Sequence, residues 1–411
     1  MTVALSKRIA ADDVALRLAI EVREEPGAAD WPLILSRHCF VARLGRSAEQ
    51  VEGFGCASTV AAAREFAIME CLERYAQFQR TPPQLRRASG ALLGEAVLPP
   101  ESLGLYAQDQ YGDPDFPFAR YSPEATLDWV EVIDAASRQR YHVPAEFVYP
   151  RAAAGRKPLA AETSSGTAAH YSHDAALMGA VCELIERDSL LMFWHRQPET
   201  IALNIESSLS PEAAEDLENV RKMGYLTVVC CLQYDLPLPS VLALALRDNR
   251  FAWGAGCHPH LKDAVEHAVC ELGRLVRWHV LESGGVRPWH YLSQVKKPGD
   301  HYALYDGGPF HSILRHTLAH TVRPGLPLPP ALPFETLADI VRSLESKRFR
   351  VYECDLTPAE IRSFGVVIER ALVPGLIPLN FGYNTIRLGC RRLWSRDAPG
   401  RFRTLLPHFM A

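Results

Sequence analysis

The chain has 411 residues, 48% hydrophobic and 22% charged, with a formal net charge of −4. Such a composition fits a folded protein with a sizeable core, in two or three structural units or one elaborated domain. It argues against a general nucleic-acid binder, because no Lys/Arg run builds a basic stripe. The basic stretch from Arg387 to Arg392 could still hold an anionic small molecule.

Met1 to Arg8 lacks the apolar core of a signal peptide, and the longest apolar stretches (Leu226 to Leu232, Val241 to Leu246) are too short to span a bilayer. None of the ten cysteines forms a CxxC pair. Several lie within helical or strand patterns and read as reduced, half-buried small hydrophobes. These features place the chain in the cytoplasm, without a cysteine-bound structural metal.

In chain order, a helical stretch over Ala11 to Glu24 precedes a strand around Ile34 to Leu44. Gly53-Phe54-Gly55 reads as a turn before a helix over Ser58 to Gln79. Gly53-x-Gly55 has no GK[ST] continuation and is not a Walker loop. Tyr141 to Tyr149 is β-like, and the small-residue stretch Thr163 to Ala169 leads into a second helix, Ser172 to Trp194. Thr227 to Leu232, holding Cys230 and Cys231, is strand-like and packs in the core. Ser240 to Leu246 and Phe251 to Trp253 are β-like, and Gly254-Ala255-Gly256 reads as a turn before a third helix, Lys262 to Trp278.

His316 and His320 are spaced i, i+4 with His311 nearby, but without an HExxH glutamate they read as surface or core histidines. His258-Pro259-His260 reads as an ordinary loop. Pro324 to Pro333 is a proline-rich connector, and Val366 to Val373 is a strand ended by Pro374-Gly375. Strands and helices without a regular βαβ rhythm indicate an α+β fold. Residues 1–50 are expected as an N-terminal segment before a catalytic domain over 51–411, with the connector at 324–333 and a tail at 394–411.

The first helix carries Glu70-Cys71-Leu72-Glu73-Arg74 and the second Glu183-Leu184-Ile185-Glu186-Arg187. The third has a reduced version, Cys270-Glu271-Leu272-Gly273-Arg274. Positions i, i+3 and i+4 share a helix face, so each full pentad presents two carboxylates and a guanidinium together. A lone pentad of this kind is usually a solvated, salt-bridged face. Its recurrence among apolar neighbours points instead to carboxylates converging on one volume. They would need cations between them, and hard oxygen donors select Mg²⁺ completed by nucleotide phosphates. Arg74 and Arg187 would then be phosphate partners.

Thr163-Ser164-Ser165-Gly166-Thr167-Ala168-Ala169 followed by Cys182-Glu183-Leu184-Ile185-Glu186-Arg187-Asp188 resembles the YcaO family signature. Val373-Pro374-Gly375-Leu376-Ile377-Pro378-Leu379-Asn380-Phe381-Gly382, with Arg387-Leu388-Gly389 and Arg391-Arg392-Leu393, resembles the C-terminal region of azoline-forming members. The resemblance covers about residues 50 to 411. It implies an α+β YcaO fold, with mixed sheets and long ExxER helices around a pocket for ATP and Mg²⁺. It further implies Glu70, Glu73, Arg74, Ser164, Glu183, Glu186, Arg187 and Glu271 as nucleotide-binding residues. The five glutamates among them would also be metal ligands.

Several family positions differ. Phe54 stands where the family has a lysine, Phe66 where it has a serine, and Ser165 where it has an asparagine. Ala175 and Gly179 replace a glutamate and a glutamine, with Asp174 as a stand-in for the lost acid, and His267 replaces an arginine. The Pro-rich PxPxP tail is reduced to Pro407-His408, leaving His408 or the carboxylate of Ala411 as proton-transfer candidates.

The implied activity is that of a D-type cyclodehydratase, which converts Cys, Ser or Thr of a ribosomal precursor peptide to thiazoline or oxazoline. The implied partners are the precursor peptide, an E1-like or RRE-containing leader-binding protein and an FMN-dependent azoline dehydrogenase. A homodimer within a larger complex is also implied. Thioamide or amidine formation, or a degenerate peptide-binding scaffold, are the alternatives.

Overall fold

In the computed structural model the described residues are 11–25, 38–45, 50–78, 85–153, 155–205, 209–281, 288–324, 334 and 336–410. β1 (Glu21–Glu24), β2 (His38–Leu44) and β3 (Val51–Ala57) form a first, antiparallel sheet. β4 (Arg86–Ser89), β5 (Thr126–Asp134), β6 (Arg140–Pro144) and β7 (Thr167–His170) belong to a second sheet. β8 (Thr200–Ala202), β9 (Leu226–Cys231), β10 (Ser240–Arg247), β11 (Arg250–Cys257) and β12 (Val322–Arg323) build a third, and β13 (Tyr352–Asp355) and β14 (Val367–Leu372) return to the second. The second sheet runs β4-β5-β13-β14-β7 with β6 paired to β5, and the third runs β11-β10-β9-β8-β12.

The helices are α1 (Ala11–Leu18), α2 (Val60–Gln77), the short α3 (Gly90–Leu93), α4 (His173–Arg196), α5 (Pro211–Lys222), α6 (Leu261–Leu281), α7 (Pro298–Tyr305), α8 (His311–Thr321), α9 (Leu337–Ser346) and the short α10 (Ala359–Arg362). This mixture is the expected α+β architecture, and α2, α4 and α6 are the three expected helices. Thr59 caps α2 by accepting the Ala62 N–H, and Ser172 caps α4 by accepting the Ala175 N–H. None of the described helices is long and apolar enough to cross a membrane.

The two Gly-x-Gly stretches are not turns, as expected from sequence, but strand interior. Gly53 and Gly55 lie in β3, and Gly254 and Gly256 in β11. The reason is steric. A Cβ on Gly53 would stand 2.2 Å from the Cys71 nitrogen, and one on Gly254 2.2 Å from the Ala268 carbonyl oxygen. Glycine therefore lets α2 lie directly on β3, and α6 on β11.

Three further expectations change. The helix expected over Ala11 to Glu24 stops at Leu18. Ala19 is left-handed (φ 55°), the Ile20 N–H closes the helix on the Ala15 carbonyl, and Glu21–Glu24 pairs with Phe40–Arg43 as β1. Tertiary pairing overrides a modest helical pattern there. Not all cysteines are reduced: Cys39 and Cys56 are direct Cα partners in the β2–β3 register and form a disulfide. Because β1 and β2 pair with β3, the boundary expected near residue 50 falls inside the first sheet. The strand expected from Ile34 is described only from His38, and the connector 324–333 lies outside the described residues except for Pro324.

The end of α4 anchors the C-terminal segment. Arg196 is 2% exposed, and its guanidinium donates to the carbonyls of Leu393, Ser395, Ala398, Pro399 and Gly400 at 2.6–2.8 Å. Arg401 and Arg403 N–H groups return to the carbonyls of Arg196 and His195. Removing a buried donor leaves its acceptors unsatisfied. Arg196→Met is therefore expected to destabilise the fold by at least about 3 kcal/mol. Urea denaturation would show the loss, and proteolysis would cut first within residues 393–405. A wild-type midpoint and cleavage pattern would refute this anchoring.

Candidate active site: a carboxylate and arginine pocket

Each helix brings a carboxylate to a backbone N–H. The Phe54 N–H donates to Glu70 at 2.6 Å, and the Ala255 N–H to Glu271 at 3.0 Å. Both pairs are sixteen residues apart, so β3–α2 and β11–α6 are built alike. On α4, Glu183 accepts from the Gly166 N–H at 2.7 Å, and Glu73 on α2 accepts from the Ala169 N–H at 2.8 Å. Glu70 gives its other oxygen to Arg74 at 2.6 Å. These carboxylates are held by main chain and do not depend on long flexible side chains for orientation.

They line one pocket of about 840 Å³, at the upper end of the range for small-ligand sites. Seven sequence-predicted residues line it: Glu70, Glu73, Arg74, Ser164, Glu183, Arg187 and Glu271. Glu186 does not line it; it sits 3.6 Å from Arg187 with its side chain 12% exposed. Gln77, Arg274, Arg277 and the aromatics Trp253, Tyr302 and Phe381 also line the pocket, and sequence reasoning gave them no role there. Gln77 and Arg274 could have been found by extending the Glu73 and Glu271 helix faces by one turn. The guanidiniums of Arg74 and Arg274 each lie 5.8 Å from the Phe54 ring centre, where the family pattern has a lysine.

Burial pushes the Glu73 carboxyl well above the usual range, with Glu70 and Glu183 adding repulsion against the Ala169 N–H. Burial likewise raises Glu186 to about 8, opposed by Arg187 and reinforced by Glu271 and Glu183. Among the described residues, no three His, Cys, Asp or Glu side chains are grouped to hold an ion by themselves. Mg²⁺ seldom takes an all-protein cage and is usually bound by one or two carboxylates plus phosphate oxygens. The donor set therefore fits a nucleotide-borne Mg²⁺, with Arg74, Arg187 and Arg274 as phosphate partners.

Other predicted positions lie elsewhere. Asp174 is exposed and pairs with His173, so it cannot replace the lost acid in the pocket. A Cβ on Gly179 would stand 3.2 Å from the Ala168 Cβ, a tight approach, so a side chain there would require Ala168 to give way slightly. His267 is beside His258 at the start of α6, outside the pocket lining. His316 and His320 are exposed on α8 and His311 is buried against the Tyr305 carbonyl, as surface and core histidines. Arg392 is taken up by Asp188 and Asp235, so the stretch Arg387 to Arg392 is not an open basic patch.

His408 is corrected as well. It is fully buried outside the pocket lining, where its Nε2–H donates to the Asn380 carbonyl at 2.6 Å. Its ring lies 4.3 Å from that of His301, whose Nδ1–H donates to the His408 carbonyl. Met410 is the tail residue that lines the pocket, and Ala411 lies outside the described residues.

Burial lowers the pKa of His195 and His301 to about 4 and that of His408 well below its usual value. Unfolded, each titrates near 6.5, so their stability contribution is complete above that pH and is lost as pH falls towards 4. The urea midpoint should fall between pH 7 and pH 5, and His301→Gln should flatten that dependence by about one proton. An unchanged slope in the variant would mean that His301 is not buried in its neutral form.

A family model described as YcaO cyclodehydratase, ATP- and Mg²⁺-binding, matches residues 54–377. A heterocyclase solved in complex with substrate and cofactor superposes with a TM-score of 0.73 at 17% identity, over 97% of this chain and 56% of that one. YcaO from Methanopyrus kandleri, bound with AMPPCP and Mg²⁺, gives 0.60 at 18% identity over 89% and 88%. The E. coli microcin synthetase McbBCD complex with pro-MccB17 bound gives 0.58 at 14% over 86% and 86%. An uncharacterized protein in the tfuA 3′ region of Rhizobium leguminosarum bv. trifolii is 24% identical over 161 residues, 35% of this chain and 38% of that protein. The chain thus spans about half the length of the first heterocyclase, and matches little more than a third of the rhizobial protein.

Proposed function

The chain belongs to the YcaO family, described as binding ATP and Mg²⁺, and on that premise we propose that it activates a backbone amide of a peptide for azoline formation. The observation that carries the reading is the set of main-chain-pinned carboxylates on α2, α4 and α6 facing one pocket with Arg74 and Arg187. Glu70, Glu73, Glu183 and Glu271 hold the metal-nucleotide complex. Glu186 supports Arg187 from behind, and Ser164 faces the nucleotide. Residues 51–411 act as the catalytic unit, braced by β1 and β2.

A Cys, Ser or Thr side chain of the substrate loses its S–H or O–H proton to a base and adds to the preceding carbonyl carbon, closing the ring. The resulting oxyanion takes the γ-phosphoryl group and ADP departs. The carbon–oxygen bond then breaks, the amide nitrogen loses its proton to the departing phosphate, and a C=N bond forms in the ring as hydrogen phosphate leaves. An amide oxygen is a poor leaving group, and phosphorylation corrects this. The pocket's role is to hold charge in place where water is scarce. The partners in this reading are a precursor peptide and a leader-binding protein, with an azoline dehydrogenase downstream.

Calorimetric titration with MgATP or a non-hydrolysable analogue should give a micromolar dissociation constant. Glu183→Gln with Glu186→Gln should weaken binding at least about 100-fold while circular dichroism is unchanged. Arg274→Gln should weaken it about tenfold, if this cation stands in beside Phe54. Peptide products should lose one water per ring, whereas exchange of oxygen for sulfur would assign thioamide formation instead. Absence of nucleotide binding would leave a peptide-holding scaffold, for which Phe54 in place of a lysine is the specific indication.

A further inference from the structure

Behind Arg187 lies a second, smaller cavity of about 70 Å³, which shares Ser165, Arg187 and Leu379 with the large pocket. Its lining includes two further guanidiniums, those of Arg370 and Arg387, both 3% exposed. Arg370 donates to the Thr167 hydroxyl at 3.0 Å and to the carbonyls of Phe147 and Thr163 at 3.1 and 3.4 Å. Arg387 donates to the Ala161 carbonyl at 2.8 Å and also has the Tyr106 hydroxyl as a hydrogen-bond partner. Among the described residues neither has a carboxylate within ion-pair distance. Glu146, the acid in the lining, pairs with Arg156 at 3.0 Å.

The Nε–H groups of Arg187, Arg370 and Arg387 are all buried without an acceptor. Arg196 supplies the contrast within the same molecule. It is also buried without an acid, but it spends its donors on five carbonyls and lines neither cavity. A buried cation can be satisfied by neutral acceptors, and Arg196 is. Arg370 and Arg387 each keep an Nε–H without an acceptor among the described residues, a cost that an anion in the cavity would remove. Burial pulls the Arg370 guanidinium down to about 10, with Glu183 as the carboxylate that opposes the shift.

The volume limits what that anion can be. A water needs about 10–15 Å³ on this measure, so the cavity holds a few waters or one small oxyanion, and is too small for a nucleotide. In the same lining the Thr163 hydroxyl donates to the Ser165 oxygen at 3.0 Å, which leaves the Ser165 hydroxyl as a further donor.

We propose that this cavity is an orthophosphate site that receives the phosphate released in the adjoining pocket. This rests on the ATP-consuming reading above. When the activated carbon–oxygen bond breaks, the electron pair stays on the phosphate oxygen, which takes the amide proton, and the resulting hydrogen phosphate dianion moves past Arg187 to Arg370 and Arg387. Holding it there removes it from the newly formed C=N bond, where its return would reverse the elimination.

The test is equilibrium dialysis of the full chain with radiolabelled orthophosphate at constant ionic strength, with and without saturating MgADP. One phosphate should bind per chain and be retained alongside MgADP. Sulfate should compete and acetate should not. Arg387→Met should lower phosphate affinity at least about tenfold without changing MgADP affinity. Ala160→Leu, which fills the cavity and keeps its arginines, should do the same. Displacement of phosphate by MgADP would overturn the proposal by placing the anion in the nucleotide pocket. No saturable binding, or equal competition by acetate, would also overturn it. MgADP affinity is read separately, so phosphate binding without nucleotide binding would sink the activity reading and leave the anion site standing.

Discussion

The pocket depends on how closely two helices can lie on two strands. At β3 and β11 the alternate residues facing the helix are glycines, and a Cβ at Gly53 or Gly254 would fall 2.2 Å from helix backbone atoms. Glycine inside a strand costs roughly 0.5–1 kcal/mol in conformational entropy. That cost is offset by a contact no other residue permits. The residue between each pair of glycines, Phe54 or Ala255, then has its N–H facing a glutamate one helix away. Carboxylate positions in this site are thus a property of backbone packing before they are a property of charge.

Electrostatics follows from that packing. Main-chain N–H groups compensate part of each carboxylate's lost hydration, but they cannot cancel the repulsion among several. Burial and neighbouring acids hold the Glu73 and Glu186 carboxyls up, while Arg74 and Arg187 draw on the same acids. Such a site is frustrated without further cations and relaxed with them. The small cavity behind Arg187 has the opposite imbalance, with guanidiniums in excess. Arg187 stands at the boundary between an acid-rich and a base-rich compartment, paired with Glu183 and Glu186 on its own helix.

How far the sequence revealed this depends on the range of each interaction. The glutamates and arginines repeat at i, i+3 and i+4, so their common faces are legible, and seven of the eight residues expected to bind nucleotide line one pocket. The glycines read as turns from sequence alone, because a Gly-x-Gly before a helix looks the same whether it bends the chain or admits a helix onto a strand. Cys39 and Cys56 are seventeen residues apart with no periodic signal, and only the β2–β3 register brings them together. His408 was chosen as a titratable group near the end of the sequence. Its burial is set by contacts with His301 and Asn380, 107 and 28 residues away in sequence. Long-range packing of this kind leaves no local trace.

α4 joins these compartments. In one turn after another it carries Glu183 into the large pocket, Arg187 to the lining shared by both cavities, and Asp188 to the segment that closes the smaller one. Asp188 accepts the Ile377 N–H at 2.8 Å and pairs with Arg392, which also grips Asp235. Two turns later His195 and Arg196 fix the chain that ends with Phe409 packed on Trp194 and Met410 in the pocket lining. All of this helix from Asp188 to Arg196 is buried, as expected for a helix surrounded by core on every side. The pocket acids, the smaller cavity and the tail are thus all tied to one buried helix, so a displacement of α4 would be felt at each of them.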